Sequence, residues 1–103
     1  MVILVARSQL PQEKADAFVE WIKENSPKVA AIAGLTKIDF LLDRSTGRAG
    51  TLSYWDSAES LKSGGDELQA LRQQVVGGLG GTIQSVESYE VVHTIGAEAG
   101  AAR

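Results

Sequence analysis

Apolar positions alternate with a period of two in separate stretches of this chain, and a helical period fills the segments between them. Val2 to Ser8 is aliphatic and β-branched and predicts a first strand. Pro11 suits the first position of a helix. Ala15, Phe18, Val19 and Ile22 mark one face of that helix, with Glu13, Lys14, Glu20, Lys23 and Glu24 elsewhere. Asn25, Ser26 and Pro27 are expected to break it and start another, with Ser26 as N-cap and Pro27 at the first helical position. The second, short helix would turn Val29, Ile32 and Ala33 inward and end at Gly34.

Leu35 to Asp43 predicts strand two, Ser45, Thr46 and Gly47 a turn, and Ala49 to Trp55 strand three, so these strands form a hairpin. Asp56 or Ser57 can cap a third helix, with Glu59 placed for a capping box. That helix is expected to stop at Gly64 and Gly65. Asp66 would cap a fourth, with Leu68, Leu71 and Val75 on one face and Gly77 at its end. Thr82 to Thr94 predicts a long last strand. Ile83, Ser85, Glu87, Tyr89 and Val91 lie on one side of it, and Val86, Glu90 and Val92 on the other.

The order βααββααβ is the split βαβ, ferredoxin-like pattern, an α+β fold with a four-stranded antiparallel sheet covered by helices on one face. Strand two carries Ile38, Phe40 and Leu42 on one side and Leu41 on the other, so both sheet faces are expected to be partly buried. Covering the open face of a chain this size calls for a partner, and a homodimer closed sheet to sheet is the expectation.

The 103 residues fit one domain, taken as residues 1–95, with 96–103 as a small, polar tail expected to be disordered. The 44% hydrophobic content argues against disorder of the whole chain. A net charge of −3 with scattered lysines and arginines offers no basic stripe, so no nucleic acid is expected as a partner. The absence of cysteine excludes thiol catalysis and disulfides. The N-terminal apolar run stops at Ala6, too short for a signal segment or a membrane span, so a cytoplasmic location is expected.

Few residues carry candidate chemistry. Trp55 ends a strand where a helix begins, a corner that often rims a pocket; the plainer alternative is a core tryptophan. Tyr54 should point the other way, toward a dimer face, and Tyr89 offers a hydroxyl that is either catalytic or part of the core. Arg72 follows Leu71 on the last helix and can either reach a pocket and hold an anionic oxygen or lie in solvent. Arg7 is a charge inside a strand, with Asp39 and Glu87 as possible partners. His93, the only histidine, has no cysteine or second histidine to join it in a metal site, and no G-x-S-x-G elbow supports a serine triad. The run Gly77 to Gly81 follows a helix and lacks the lysine of a phosphate loop, so it reads as a helix-to-strand connection.

With this element order and the corner YWDSAESL (Tyr54 to Leu61), the chain resembles the antibiotic-biosynthesis monooxygenase (ABM) family, small dimeric α+β barrels. The resemblance runs from Val2 to about Val92. It includes Gly34-Leu35, the corner residues Trp55, Ser57 and Glu59, the Ala70-Leu71-Arg72 helix, and the closing Tyr89-Glu90-Val91-Val92. It implies a pocket lined by a strand asparagine, the corner tryptophan, a helix tyrosine and a helix arginine. Trp55 and Arg72 stand at two of these positions, Thr51 stands at the asparagine position and Leu61 at the tyrosine position.

Members of that family oxygenate anthrones and similar polyketides without metal or flavin. The resemblance therefore implies a cofactor-independent monooxygenase acting on a flat aromatic or quinone-like molecule, with no cofactor. Trp55, Arg72 and Thr51 would be catalytic, and Trp55, Leu61 and Tyr89 would contact the substrate. A related branch degrades haem with an axial histidine on the last helix. Here that helix has none, and Arg7 and Ser8 stand where the branch has an asparagine, which argues against that activity. Two alternatives remain: a non-catalytic dimeric barrel that binds a small ligand or partner, and an isomerase or cyclase using Asp39 or His93.

Overall fold

Four strands and two helices build the chain in this computed structural model, which describes residues 1–96. β1 spans Val2–Gln9, β2 Leu35–Asp43, β3 Arg48–Trp55 and β4 Thr82–Glu90. α1 spans Ala15–Ala30, after a single 3-10 turn at Gln12–Lys14, and α2 spans Ala58–Gly78. The strands form one antiparallel sheet in the order β2-β3-β1-β4, the ferredoxin-like arrangement. No helix among the described residues is long and apolar enough to cross a membrane. The tail expected at 96–103 lies, beyond Gly96, outside the described residues.

The hairpin forms where the pattern places it. Gly47 takes φ +80, a left-handed value that suits glycine, and Asp43 binds the turn through Ser45 and Arg48. Ser57, rather than Asp56, caps α2: its hydroxyl accepts from Ser60 N at 3.1 Å. Asp56 instead accepts from the Thr36 hydroxyl at 2.9 Å.

Both expected helix breaks are absent, and the four expected helices are two. In α1, Pro27 sits inside the helix. Proline lacks the N–H that the Lys23 carbonyl would receive, but both residues are exposed, so water can serve that carbonyl. Ser26 is no cap, since its hydroxyl donates back to Ile22 O at 2.7 Å, and Asn25 donates to Trp21 O at 2.9 Å. Burial of Val29 and Ile32 in the core then holds the end of the helix in register. In α2, Gly64 and Gly65 cost about 1 kcal/mol each in helix propensity. Packing outweighs this, because Gly64 is where the helix meets Trp55 and the chain around Ala33.

β4 also departs from simple alternation. Arg7 pairs with Ser85, but Ser8 pairs with Ile83, so Gln84 is an extra residue in the strand. The bulge turns Ile83 to the helix side, away from Ser85, Glu87 and Tyr89, and Ile83 packs against the cluster around Leu10 and Val76. Regular pairing ends at Glu90, earlier than Thr94, with Val91 N still bonded to Met1 O at 3.0 Å.

The helix side of the sheet buries two apolar clusters. One gathers Leu4, Val29, Ile32, Trp55 and Leu68; the other gathers Leu10, Phe18, Ala49, Val75 and Val76. Phe40 touches both and meets Phe18 edge to face, with ring centroids 6.5 Å apart. The opposite face follows from the register: Ile3, Val5 and Arg7, Leu52 and Tyr54, Lys37, Asp39 and Leu41, Glu87 and Tyr89.

Candidate functional site

A cavity lies at the seam between the two clusters, because the sheet there is tiled with small residues. Ala6 and Ser8 of β1 and Ala49 and Thr51 of β3 face the helices where a core would ordinarily carry larger aliphatics. Phe18, Trp21, Leu68, Leu71 and Val75 close it from above. The cavity is narrow: about 20 Å³ of it can hold the centre of a water molecule, room for about one water.

Arg72 enters this apolar space from α2. It belongs to the inward row Gly64, Leu68, Arg72, Val76, each four residues after the last, so the helical repeat drives a guanidinium into the core. The residue is 6% exposed, more buried than its half-buried neighbour Leu71. Gln69 Oε1 accepts a hydrogen bond from Nη1. Nε and Nη2 are buried with no partner, and so is Thr51 Oγ1 across the same cavity. Loss of water pushes the guanidinium pKa down from its ordinary value, yet arginine keeps its charge at neutral pH. No acidic side chain lines the cavity among the described residues. An apolar chamber with two unpaired guanidinium N–H groups and one unpaired hydroxyl offers buried hydrogen-bond donors suited to an anion.

The other expected site residues stand elsewhere. Trp55 is fully buried in the first cluster and lies behind the cavity wall formed by Val29 and Leu68. Its Nε1 donates to Ser53 Oγ at 3.0 Å, so the indole has no free donor for a ligand. Leu61 packs against the same cluster, and Tyr89 stands on the outer face, 52% exposed. Neither lines the cavity. Glu87 raises the Tyr89 pKa, by hydrogen bonding and by its charge.

Arg7 has no ion-pair partner within 4 Å among the described residues. Asp39 is instead 3.9 Å from Lys37 and 3.5 Å from the Tyr54 hydroxyl. Neither Asp39 nor His93 lines the cavity. Gly77 and Gly78 belong to α2, Leu79 caps that helix, and Gly80 makes the tight turn that follows, with φ +79.

Ser8, Trp21 and Gln69 are site residues that the sequence pattern did not single out. The available signal was the run of small residues at alternate positions of β1 and β3, opposite an arginine in a core row of α2. A haem held through a protein ligand does not fit this residue set. The cavity lining offers no histidine, cysteine or tyrosine, and His93 is exposed beyond β4.

No protein-family profile matches the sequence, and no curated protein matches it at a significant level. Solved structures do match the fold. A candidate antibiotic biosynthesis monooxygenase from Deinococcus radiodurans superposes with a TM-score of 0.70 at 18% identity, covering 93% of this chain and 97% of that one. A second, from Bordetella bronchiseptica, gives 0.70 at 11% identity, covering 89% and 97%. The haem degrader MhuD from Mycobacterium tuberculosis, solved with two haems in its active site, gives 0.68 at 15% identity, covering 93% and 100%. At these identities the likeness is one of fold, and the chain has the ferredoxin-like fold of the antibiotic biosynthesis monooxygenase structures, as the Trp55 corner and element order implied.

Proposed function

We propose that the cavity, which as it stands has room for about one water, widens by movement of its lining side chains to bind a flat aromatic or quinone-like molecule as its anion and oxygenates it without a cofactor. One observation carries this: Arg72 is buried in an apolar chamber with two N–H groups unpartnered, and the unpartnered Thr51 hydroxyl lines the same chamber. Arg72 would hold the oxyanion formed when the substrate loses a proton, and Thr51 would donate a second hydrogen bond. For an anthrone, the methylene carbon becomes a carbonyl, one atom of O₂ is retained there, and the other leaves as water. The electrons come from the substrate carbanion, so the protein's part is to bind, orient and stabilise charge. Trp55 would act one layer back, setting the position of Leu68 and Val29. The likeness in fold to antibiotic biosynthesis monooxygenase structures supports a monooxygenase reading.

Oxygen consumption and quinone formation with anthrone and quinol substrates test this, comparing the wild type with Arg72→Leu. Turnover that falls with Arg72→Leu is expected; absence of turnover across the panel rejects the enzyme.

The narrowness of the cavity favours a second reading, a barrel that binds a small ligand without chemistry. A homodimer belongs to both. The outer face carries Ile3, Val5, Leu41 and Leu52, with Leu41 45% exposed, an apolar sheet surface that a second copy would cover. A monomer in sedimentation at micromolar concentration would reject it.

A further inference from the structure

The two free nitrogens of Arg72 are not an arbitrary pair. Nη1 is taken by Gln69 Oε1, three residues earlier on the same helix. The nitrogens left over, Nε and Nη2, share one edge of the planar guanidinium and present parallel N–H bonds. That edge is a fork for two oxygens lying in one plane. A single anionic oxygen reaches both arms only through bent, bridging bonds, whereas two coplanar oxygens give each N–H a near-linear partner, a difference equivalent to roughly tenfold in affinity.

Had Gln69 been absent, the guanidinium would have lost the contact that commits its Nη1 end to the helix. Gln69 is half-buried and carries no charge, so it orients the cation without neutralising it. The fork therefore stays both aimed and unpaired in a cavity that holds no acidic partner among the described residues.

We infer that the cavity selects anions presenting two coplanar oxygens on a flat apolar body, and that Gln69 is the positioning residue that keeps the Arg72 fork free for them. Two kinds of ligand share this chemistry: aromatic carboxylates, and deprotonated hydroxyketones with adjacent oxygens. The inference rests on the proposed anion-binding role of the cavity and narrows it to a class of substrate.

The full chain is titrated with benzoate, with tropolonate and with 2,6-dichlorophenolate, at a pH where all three are ionised. Binding is read by calorimetry and by the NMR signal of the Arg72 Nε–H group. Benzoate, tropolonate or both are expected to bind about tenfold or more tighter than the one-oxygen phenolate. Preference for benzoate alone identifies a carboxylate ligand, and preference for tropolonate alone a hydroxyketone.

Gln69→Leu and Arg72→Lys are each expected to bring the ratio of two-oxygen to one-oxygen binding toward one, a selectivity effect that simple loss of structure would not produce. A wild-type ratio near one, with the phenolate bound, overturns the inference and leaves the anion cavity standing. Failure of all three probes to bind overturns both. An unchanged ratio in Gln69→Leu removes Gln69 from the role.

Discussion

The Trp55 indole rests on Gly64, in the space where any other residue would carry its Cβ. A Cβ built there would lie 2.7 Å from Trp55 Cζ3 and 2.7 Å from the Ala33 carbonyl oxygen. One glycine thus lets α2 approach both the end of β3 and the turn after α1. Gly64→Ala is expected to lower stability by about 1–3 kcal/mol, although alanine is the better helix former. Gly65→Ala should be neutral or stabilising by up to about 1 kcal/mol, because its new Cβ would meet only the flexible Leu61 Cδ1, at 3.4 Å. Urea unfolding of the two variants checks the pair; equal effects would contradict a packing role for Gly64.

Trp55 is expected to report on stability rather than on ligand. Trp55→Phe removes the donor to Ser53 and part of a fully buried ring, and should cost about 2–4 kcal/mol. The folded variant should still bind benzoate nearly as the wild type does. A large loss of affinity with little loss of stability would place the indole in the ligand's path instead.

Arg72 should show the opposite behaviour. Its buried, unpaired charge burdens the unliganded protein, so Arg72→Met is expected to raise stability by about 1–3 kcal/mol. Anion binding should be lost in the same variant. Destabilisation by Arg72→Met would mean that the guanidinium has a structural partner.

The turn between β2 and β3 predicts a pH dependence. Hydrogen bonds from the Ser45 hydroxyl, then from Arg48, then from Ser45 N hold the Asp43 carboxyl well below its ordinary value of 3.8. A depressed folded pKa contributes stability that is fully present above the unfolded value and lost as pH falls through the folded one. Asp43→Asn should therefore be less stable than the wild type near neutral pH, and the gap should close progressively below about pH 4. Denaturation of both proteins over that range tests the sign.

The outer face predicts an association that one charge can disrupt. Leu52 pairs with Val5 at the middle of that face. Leu52→Lys is expected to shift a dimer toward monomer in sedimentation while leaving the far-UV circular dichroism unchanged.

The strands and the hairpin were legible along the chain, because alternation, a turn glycine and a serine cap are properties of neighbouring residues. Leu35–Asp43 and the Ser57 corner could be read directly. Pro27 and the Gly64-Gly65 pair carry equally clear local signals to stop a helix, and tertiary contact overrules them: Val29 and Ile32 hold the end of α1, and Trp55 needs the bare backbone of Gly64. The Gln84 bulge, which sends Ile83 to the core side, is set by pairing with β1 and has no mark of its own in the strand. Arg72 could be seen as a cation next to an apolar row. Its burial without a counter-charge was decided only by what the fold places opposite it, the small residues Ala6, Ser8, Ala49 and Thr51 from two strands more than forty residues apart in sequence. Local pattern specifies how each element forms and which face it buries; whether that face meets a filled core or an unfilled cavity depends on volumes contributed by other elements, which no single segment contains.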